Sequence, residues 1–211
     1  MASYIIKTKE QKNKKNFDYL SDVTDKLDKL QHSKFDINII REITLWKLDR
    51  YVCLTDDVIE KLNTLKSLTQ LDEEKTTVVL DALLKSKGVR LPMASTYLRF
   101  INPQVYQIID ARAYRAAFDY KVNEVLSSQD ISKLIDIYIE YIEKLREIAQ
   151  KGYHGLRVKF EDLDRFLYDI DKKAGFIVNE DKNKSYNSSK LKRWKELINN
   201  PNELIDNPKE K

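Results

Sequence analysis

The chain has 211 residues, a length that suits one domain or one domain with appendages. Hydrophobic residues make up 42% and charged residues 34%, which allows a modest core beneath a highly charged surface. The formal net charge of +4 permits a polyanionic partner, but acidic and basic residues are almost equally numerous. Only a local basic face would therefore indicate such a partner.

Cys53 is the only cysteine, which excludes an internal disulfide and a four-cysteine metal site. Its neighbours Val52 and Leu54 are apolar, so Cys53 is expected to be buried. No apolar run approaches the ~20 residues that span a bilayer, and the N-terminus lacks the architecture of a signal peptide. A cytoplasmic protein that makes no membrane contact is expected.

Composition divides the chain into three expected segments. Residues 1–15 are expected to form a flexible basic leader, because residues 7–16 are polar and basic. Residues 16–175 carry the apolar periodicity of a helical domain. Residues 176–211 are expected to form a linker and a charged tail, because residues 179–190 contain few apolar residues. A short helix over 189–199 would present Trp194, which either docks on the main body or binds a protein partner.

Apolar residues at three- and four-residue steps predict the helices of the first half. The predicted helices cover 16–31, 36–49 and 55–65, followed by one that begins at 72 and ends near 87. In the second of these, Ile37, Ile40 and Trp46 are expected to face inward. Trp46 is expected to pack in the core. The alternative places it beside a base-binding pocket, because nucleic-acid enzymes stack extruded bases on aromatic rings. Lys47 lies on a different face, which suits surface or phosphate contact.

Glycine and proline divide the stretch 83–118 into a helix, a hairpin, a second helix and a connector. Gly88 begins a tight hairpin, and Pro92 suits the first turn of a new helix, where its missing N–H costs nothing. Pro103 ends that helix, because a residue before proline avoids the helical conformation. An extended connector then leads to Asp110, which is the expected N-cap of the next helix.

Two further helices complete the predicted domain. The longest begins at Asp130 and ends at Gly152, and a final core helix covers 160–173. No segment shows the two-residue alternation of apolar and polar residues that is typical of a strand. The sequence therefore predicts an all-α fold.

The order of helix, hairpin, helix, connector and capping aspartate resembles the helix-hairpin-helix DNA glycosylase superfamily, which includes endonuclease III. The residues that carry the resemblance are Gly88-Val89, Ala94, Ile109-Asp110 and Tyr114-Arg115. The sequence looks most like a bacterial group that is assigned to this superfamily mainly by sequence. The segments that carry this closer resemblance are Trp46-Lys47, Gly88-Val89, the run Leu91-Pro92-Met93-Ala94-Ser95 and Ile108-Ile109-Asp110. The resemblance covers roughly residues 36–175, and it implies a helical bundle in two lobes with a cleft between them.

The resemblance implies that the hairpin binds the DNA backbone without reading sequence, through exposed N–H groups and the positive end of the following helix. Family members often also hold a monovalent cation on hairpin carbonyls. Arg90 occupies the second glycine position of the family pattern, and an arginine can reach a phosphate by itself. The alternative is a glycine hairpin that only connects two packed helices. The residues expected to contact the DNA backbone are Gly88, Val89, Arg90, Arg99, Arg112 and Arg115.

Asp110 stands where the superfamily has its catalytic aspartate, which faces the cleft. There a carboxylate stabilises the oxocarbenium charge of the sugar or activates a water. Capping alone could also explain the aspartate, and one oxygen could cap while the other faces the cleft. Pro92 stands where bifunctional members carry the lysine that forms a Schiff base, so the resemblance implies base removal without strand cleavage. The single cysteine excludes the iron–sulfur cluster of many endonuclease III relatives, and no other cofactor is expected.

The resulting hypothesis is a monofunctional DNA N-glycosylase that acts as a monomer on duplex DNA with Asp110 as its catalytic residue. Trp46 and Lys47 are candidates for its base pocket. The alternative is a non-catalytic helix-hairpin-helix protein that binds nucleic acid, which Arg90 and the slight net charge favour. A third hypothesis is a protein-interaction role for the Trp194 segment.

Overall fold

The computed structural model describes residues 21–29, 36–48, 51–120, 126, 128–176 and 188–200. These residues form no strand, so the all-α prediction is confirmed. None of the helices in this part of the chain is both long enough and apolar enough to cross a membrane. The predicted leader over 1–15 and most of the predicted linker and tail lie outside the described residues. The helices are α1 (Ser21–Asp28), α2 (Ile37–Lys47), α3 (Asp56–Asn63), α4 (Glu73–Lys85), α5 (Leu91–Ile101), α6 (Ala111–Ala117), α7 (Ile131–Lys151), α8 (Leu163–Lys173) and α9 (Ser188–Asn199), with 3₁₀ turns at Thr64–Ser67 and Phe160–Asp162.

The chain separates into two compact units, Met1–Tyr51 and Val52–Lys211. The helical domain predicted over 16–175 therefore spans the boundary between the two units. The first unit contains α1 and α2, and the second contains α3 to α9 with the hairpin and the connector.

In the first unit, side-chain bonds join α1 to α2. The indole Nε1 of Trp46 donates to Thr24 Oγ1 at 3.0 Å, and Trp46 is half-buried. The inward face predicted for α2 is wrong at Ile37 and Ile40, which are 57% and 50% exposed. Periodicity shows which face of a helix is apolar, but it does not show whether a neighbouring element covers that face.

The second unit is organised around α7, whose buried tyrosines bind the connector that follows α5. The hydroxyl of Tyr138 donates to the carbonyl of Gln107 at 3.0 Å, and that of Tyr141 donates to the carbonyl of Ile108 at 2.9 Å. Burial raises the pKa of both hydroxyls well above the ordinary value, so both remain protonated donors. A buried hydroxyl without a partner would be costly, which makes these two bonds strong constraints on the connector.

A buried carboxylate joins α6 to α8. Asp171, on α8, is fully buried. Its Oδ1 accepts from Arg112 Nη1 and from Arg115 Nη2, both at 2.8 Å, and its Oδ2 accepts from Arg115 Nε at 3.0 Å. Arg112 Nη1 also donates to the carbonyl of Phe176 at 2.7 Å. Two guanidinium groups thus compensate one desolvated carboxylate, and this cluster fixes α6 against α8.

The C-terminal helix α9 docks on the second unit through its apolar side. Trp194 is 6% exposed, and its indole Nε1 donates to the hydroxyl of Tyr153 at 3.1 Å. Its ring lies 5.0 Å from the ring of Tyr120, and Leu197 and Ile198 are buried on the same side of the helix. Of the two roles expected for the Trp194 segment, the described structure shows docking on the main body.

Cys53 is exposed, so its predicted burial is wrong. Residues 52–55 form neither a helix nor a strand. Val52 and Leu54 pack against the core, which leaves Cys53 facing outward. The backbone N–H of Cys53 donates to the carbonyl of Lys87 at 3.1 Å and so ties this segment to the hairpin.

Asp171→Asn should lower the free energy of unfolding of the second unit by about 3–5 kcal/mol, because it leaves buried guanidinium charge without its carboxylate. Urea unfolding followed by circular dichroism measures the loss. The matched control is Asp81→Asn, which removes an exposed partner of Lys85 in α4 and should cost less than about 0.5 kcal/mol. Equal losses in the two variants would show that the buried cluster does not hold α6 against α8.

Candidate active site

The hairpin between α4 and α5 has the geometry that the sequence predicts. Gly88 has a φ of 86°, a left-handed conformation that favours glycine. The side chain of Val89 is buried, and its N–H donates to the carbonyl of Ser86 at 3.2 Å. Arg90 occupies the N-cap position of α5, and its side chain is exposed. The hairpin therefore presents Gly88 and Arg90 at the surface while Val89 anchors it.

Three carbonyl groups of the hairpin segment accept backbone hydrogen bonds. The carbonyl of Lys87 accepts from the N–H of Cys53 at 3.1 Å, and that of Arg90 accepts from the N–H of Ala94 at 2.9 Å. The carbonyl of Ser86 closes the turn. A carbonyl oxygen that accepts one hydrogen bond keeps a second lone pair, so the monovalent cation of the family pattern stays a prediction.

The connector that carries Asp110 is held at successive backbone groups. The N–H of Ile109 donates to Ser95 Oγ on α5 at 3.1 Å, and the N–H of Ile108 donates to Asp164 Oδ2 on α8 at 3.2 Å. The two α7 tyrosines described above bind its carbonyls. Three helices therefore fix the backbone immediately before Asp110, which gives its side chain a defined position.

Asp110 caps α6 through one of its two oxygens. Oδ1 accepts from the backbone N–H groups of Arg112 and Ala113, both at 2.8 Å. The predicted N-cap is therefore confirmed. Neither capping bond uses Oδ2, so capping does not occupy the whole carboxylate.

Asp110 also lines a pocket of about 390 Å³ between the connector and α8. This volume lies within the range of small-molecule sites, and the walls are mostly apolar with a few polar groups, as is usual for such sites. The connector and α6 supply one wall, and α8 supplies the other. The lining residues are Ile108, Asp110, Ala113, Asp164, Arg165, Tyr168 and Asp169.

The surroundings of Asp110 raise its pKa above the ordinary value of 3.8. Burial is the main cause, and the carboxylate of Asp171 adds to it, whereas the N–H bonds from Ala113 and Arg112 oppose the change. Capping alone would lower the pKa, because an N–H donor favours the charged carboxylate. The raised pKa therefore reflects burial of the carboxyl, and it makes the ionised carboxylate a stronger base.

The α8 wall contains the site residues that the sequence analysis missed. Asp164 is buried, with its Oδ1 accepting from the N–H of Arg165 at 2.7 Å. Tyr168 is 38% exposed and offers an aromatic surface, over which the guanidinium of Arg112 lies at 5.6 Å from the ring centroid. The sequence did contain a signal for Asp164. It lies seven residues before Asp171, and both carboxylates fall on the apolar face of α8.

The arginines expected to contact phosphate have different surroundings. Arg115 is 7% exposed and bonds Asp171, and Arg112 bonds the same carboxylate. Arg99 is half-buried, and its Nη2 donates to the carbonyl of Glu161 at 3.1 Å. These side chains link elements of the second unit. Arg90 is exposed, so it is the best placed of the four to reach a phosphate.

Trp46 and Lys47 belong to the first unit, whereas the lining of the Asp110 pocket comes from the second unit. Lys47 is exposed at the end of α2. The described ranges contain no group of three or more His, Cys, Asp or Glu side chains that could hold a metal ion.

Comparisons of the chain with family models, with curated proteins and with solved structures give no match. The chemistry of the pocket and the resemblance in the hairpin region are therefore the basis for inferring a function.

Asp110→Asn and Asp110→Ala should have different effects on the free energy of unfolding. The asparagine can still cap α6, whereas the alanine cannot and should cost about 0.5–2 kcal/mol. Because folding raises the pKa of Asp110, its ionisation opposes folding, and the wild type loses stability as the pH rises through the raised pKa. The asparagine variant should therefore gain stability relative to the wild type over that window.

Denaturant unfolding at a series of pH values tests this prediction. Below the ordinary pKa of 3.8 the carboxyl is neutral in the folded and the unfolded state. The difference in unfolding free energy between Asp110→Asn and the wild type should therefore become constant there. Asp130→Asn is the control, because Asp130 caps α7 through an exposed side chain. An advantage of Asp110→Asn that shrinks as the pH rises would contradict a carboxylate whose pKa is raised by burial.

Proposed function

We propose that this protein is a monofunctional DNA N-glycosylase-like base-excision enzyme that uses Asp110 as its catalytic carboxylate. The observation that carries the proposal is the dual placement of Asp110, which caps α6 through Oδ1 and lines a pocket of about 390 Å³. The resemblance of the Gly88 hairpin, the connector and the aspartate to helix-hairpin-helix glycosylases supplies the reaction class.

The reaction needs a negative charge beside the sugar of an extruded nucleotide. As the N-glycosidic bond breaks, positive charge develops on the sugar ring, and the base leaves with the bonding electrons. The Asp110 carboxylate would stabilise that charge and accept a proton from the water that attacks the sugar carbon. Its raised pKa favours the proton transfer. Tyr168 supplies an aromatic face for the base, and Arg165 and Asp169 supply polar groups.

Strand cleavage is not part of the proposal. In the family pattern it requires a lysine amine that forms a Schiff base with the sugar, and Pro92 stands at that place. Pro92 lies in the first turn of α5, as the sequence predicts, and it carries no amine that could attack the sugar. The product would therefore be an abasic site in an intact strand.

The hairpin would align the DNA with Asp110. Arg90 and Ser95 belong to the same helical segment, and five residues of α-helix span about 7.5 Å. The bond from Ile109 to Ser95 links this segment to the residue before Asp110. A phosphate bound at the hairpin would therefore be held at a fixed distance from the carboxylate.

A non-catalytic protein that binds nucleic acid is the second candidate. It is favoured by Arg90 in the second glycine position and by the slight net charge of +4. In that case Asp110 would act only as an N-cap, and the pocket would not take a base. The two candidates differ in what Asp110→Asn does to excision and to binding.

The wild-type protein should generate abasic sites in at least one of a panel of duplexes that carry uracil, alkylated or oxidised bases. Alkali treatment followed by denaturing gel electrophoresis detects these sites. Asp110→Asn should reduce the excision rate by about 10²–10⁴-fold, the usual range for loss of a general base. Asp130→Asn removes the capping carboxylate of α7 and should leave the rate unchanged.

Full excision by Asp110→Asn, or no excision of any base in the panel, would reject the enzymatic proposal. Duplex binding that weakens steeply with salt and survives Asp110→Asn, in the absence of excision, would support the non-catalytic candidate. Before alkali treatment the strand should remain intact, and cleavage at that stage would contradict a monofunctional enzyme.

A further inference from the structure

The outward side of α9 is basic. The helix is fixed by its buried apolar side through Trp194, so its polar side faces solvent. Lys192, Arg193 and Lys195 are exposed there. Arg193 pairs with Glu196, and Glu196 is the single acidic residue within the sequence of α9.

Several other lysines of the second unit are paired. On α3, α4 and α7, such lysines bond carboxylates three or four residues away on the same helix, which neutralises their charge locally. Examples are the pairs Lys61–Asp57, Lys85–Asp81 and Lys151–Glu147.

By contrast, within the described part of the chain, Lys172, Lys192 and Lys195 are in no ion pair. All three side chains are exposed. This surface therefore carries positive charge that no carboxylate of the described residues neutralises by direct contact.

The surface begins one helical turn from the pocket. Tyr168 and Asp169 line the pocket on α8, and Lys172 follows them at four and three residues, on the same face of the helix. The helices α8 and α9 pack against each other. Lys190, near the start of α9, lies 5.8 Å from the ring centroid of Phe176, which follows the end of α8. The start of α9 therefore lies beside the end of α8, and Lys192 and Lys172 belong to these two helix ends.

We propose that Lys172, Lys192 and Lys195 form a phosphate-binding surface, the α8–α9 surface, which holds the backbone of duplex DNA beside the pocket. The inference rests on the proposed function, because DNA is the polyanion that the pocket would act on. Lysine ammonium groups bind phosphate as point charges and do not read sequence. A local basic face explains how a chain with a net charge of only +4 binds DNA.

Fluorescence anisotropy of the full-length chain with an undamaged duplex, measured over a range of salt concentrations, tests the surface. A triple variant carries Lys172→Gln, Lys192→Gln and Lys195→Gln. Each phosphate contact contributes about 0.9 to the slope of log affinity against log salt, so the variant should lose about 2.7 from that slope. The matched control carries Lys61→Gln, Lys85→Gln and Lys151→Gln, which removes the same net charge, and its slope should stay close to that of the wild type.

Equal slope losses in the two triple variants would overturn the proposal, because they would reflect net charge rather than a surface. No duplex binding by the wild type, even at low salt, would overturn it as well. Tighter binding of the wild type to vesicles of phosphatidylserine and phosphatidylcholine than to DNA, lost in the α8–α9 variant, would assign the surface to a membrane and also overturn it.

The outcome is separable from that of the excision test. A loss of slope confined to the α8–α9 variant supports the surface even if no base is excised. Excision by the wild type together with an unchanged slope in the α8–α9 variant would overturn the surface and leave the enzymatic proposal standing.

Discussion

The pocket of the second unit depends on one buried carboxylate. Asp171 holds two guanidinium groups of α6 against α8, and these two helices supply facing parts of the pocket wall. Because a buried charge is tolerated only when it is paired, this cluster fixes the distance between the walls rather than allowing them to slide. Asp171 also raises the pKa of Asp110. The same residue therefore shapes the site and adjusts its electrostatics.

This constraint also decides which cations remain for a partner. Arg112 and Arg115 would be natural phosphate ligands by sequence, yet the protein uses them to neutralise Asp171. Positive charge at the surface then has to come from other positions, and the exposed Arg90 and the lysines of α8 and α9 are such positions. If DNA binds, its backbone would contact two elements: the hairpin, which precedes the connector in the chain, and the α8–α9 surface, which follows it.

The features predicted correctly from sequence are those that local chemistry determines. Gly88 marks a positive φ, and Asp110 marks a helix start, because each effect acts within a few residues. The burial of Asp164 and the exposure of Ile37 depend on which distant element packs there, and a single sequence carries no direct record of that packing. Half of the pocket was therefore predictable, namely the half on the connector. The α8 half required the fold, since its polar residues acquire a role only when α8 packs beside Asp110.

A comparison of two capping aspartates separates structural from chemical roles. Asp72 caps α4, and the N–H and ammonium of Lys75 lower its pKa, which is the ordinary result of capping. Asp110 caps α6 with two N–H bonds, yet its pKa is raised, because burial outweighs those bonds. At Asp72 the bonds from Lys75 outweigh burial, whereas at Asp110 burial outweighs the capping bonds. The placement of Asp110 in a pocket costs folding free energy, and such a cost is typical of groups positioned for chemistry or ligand binding.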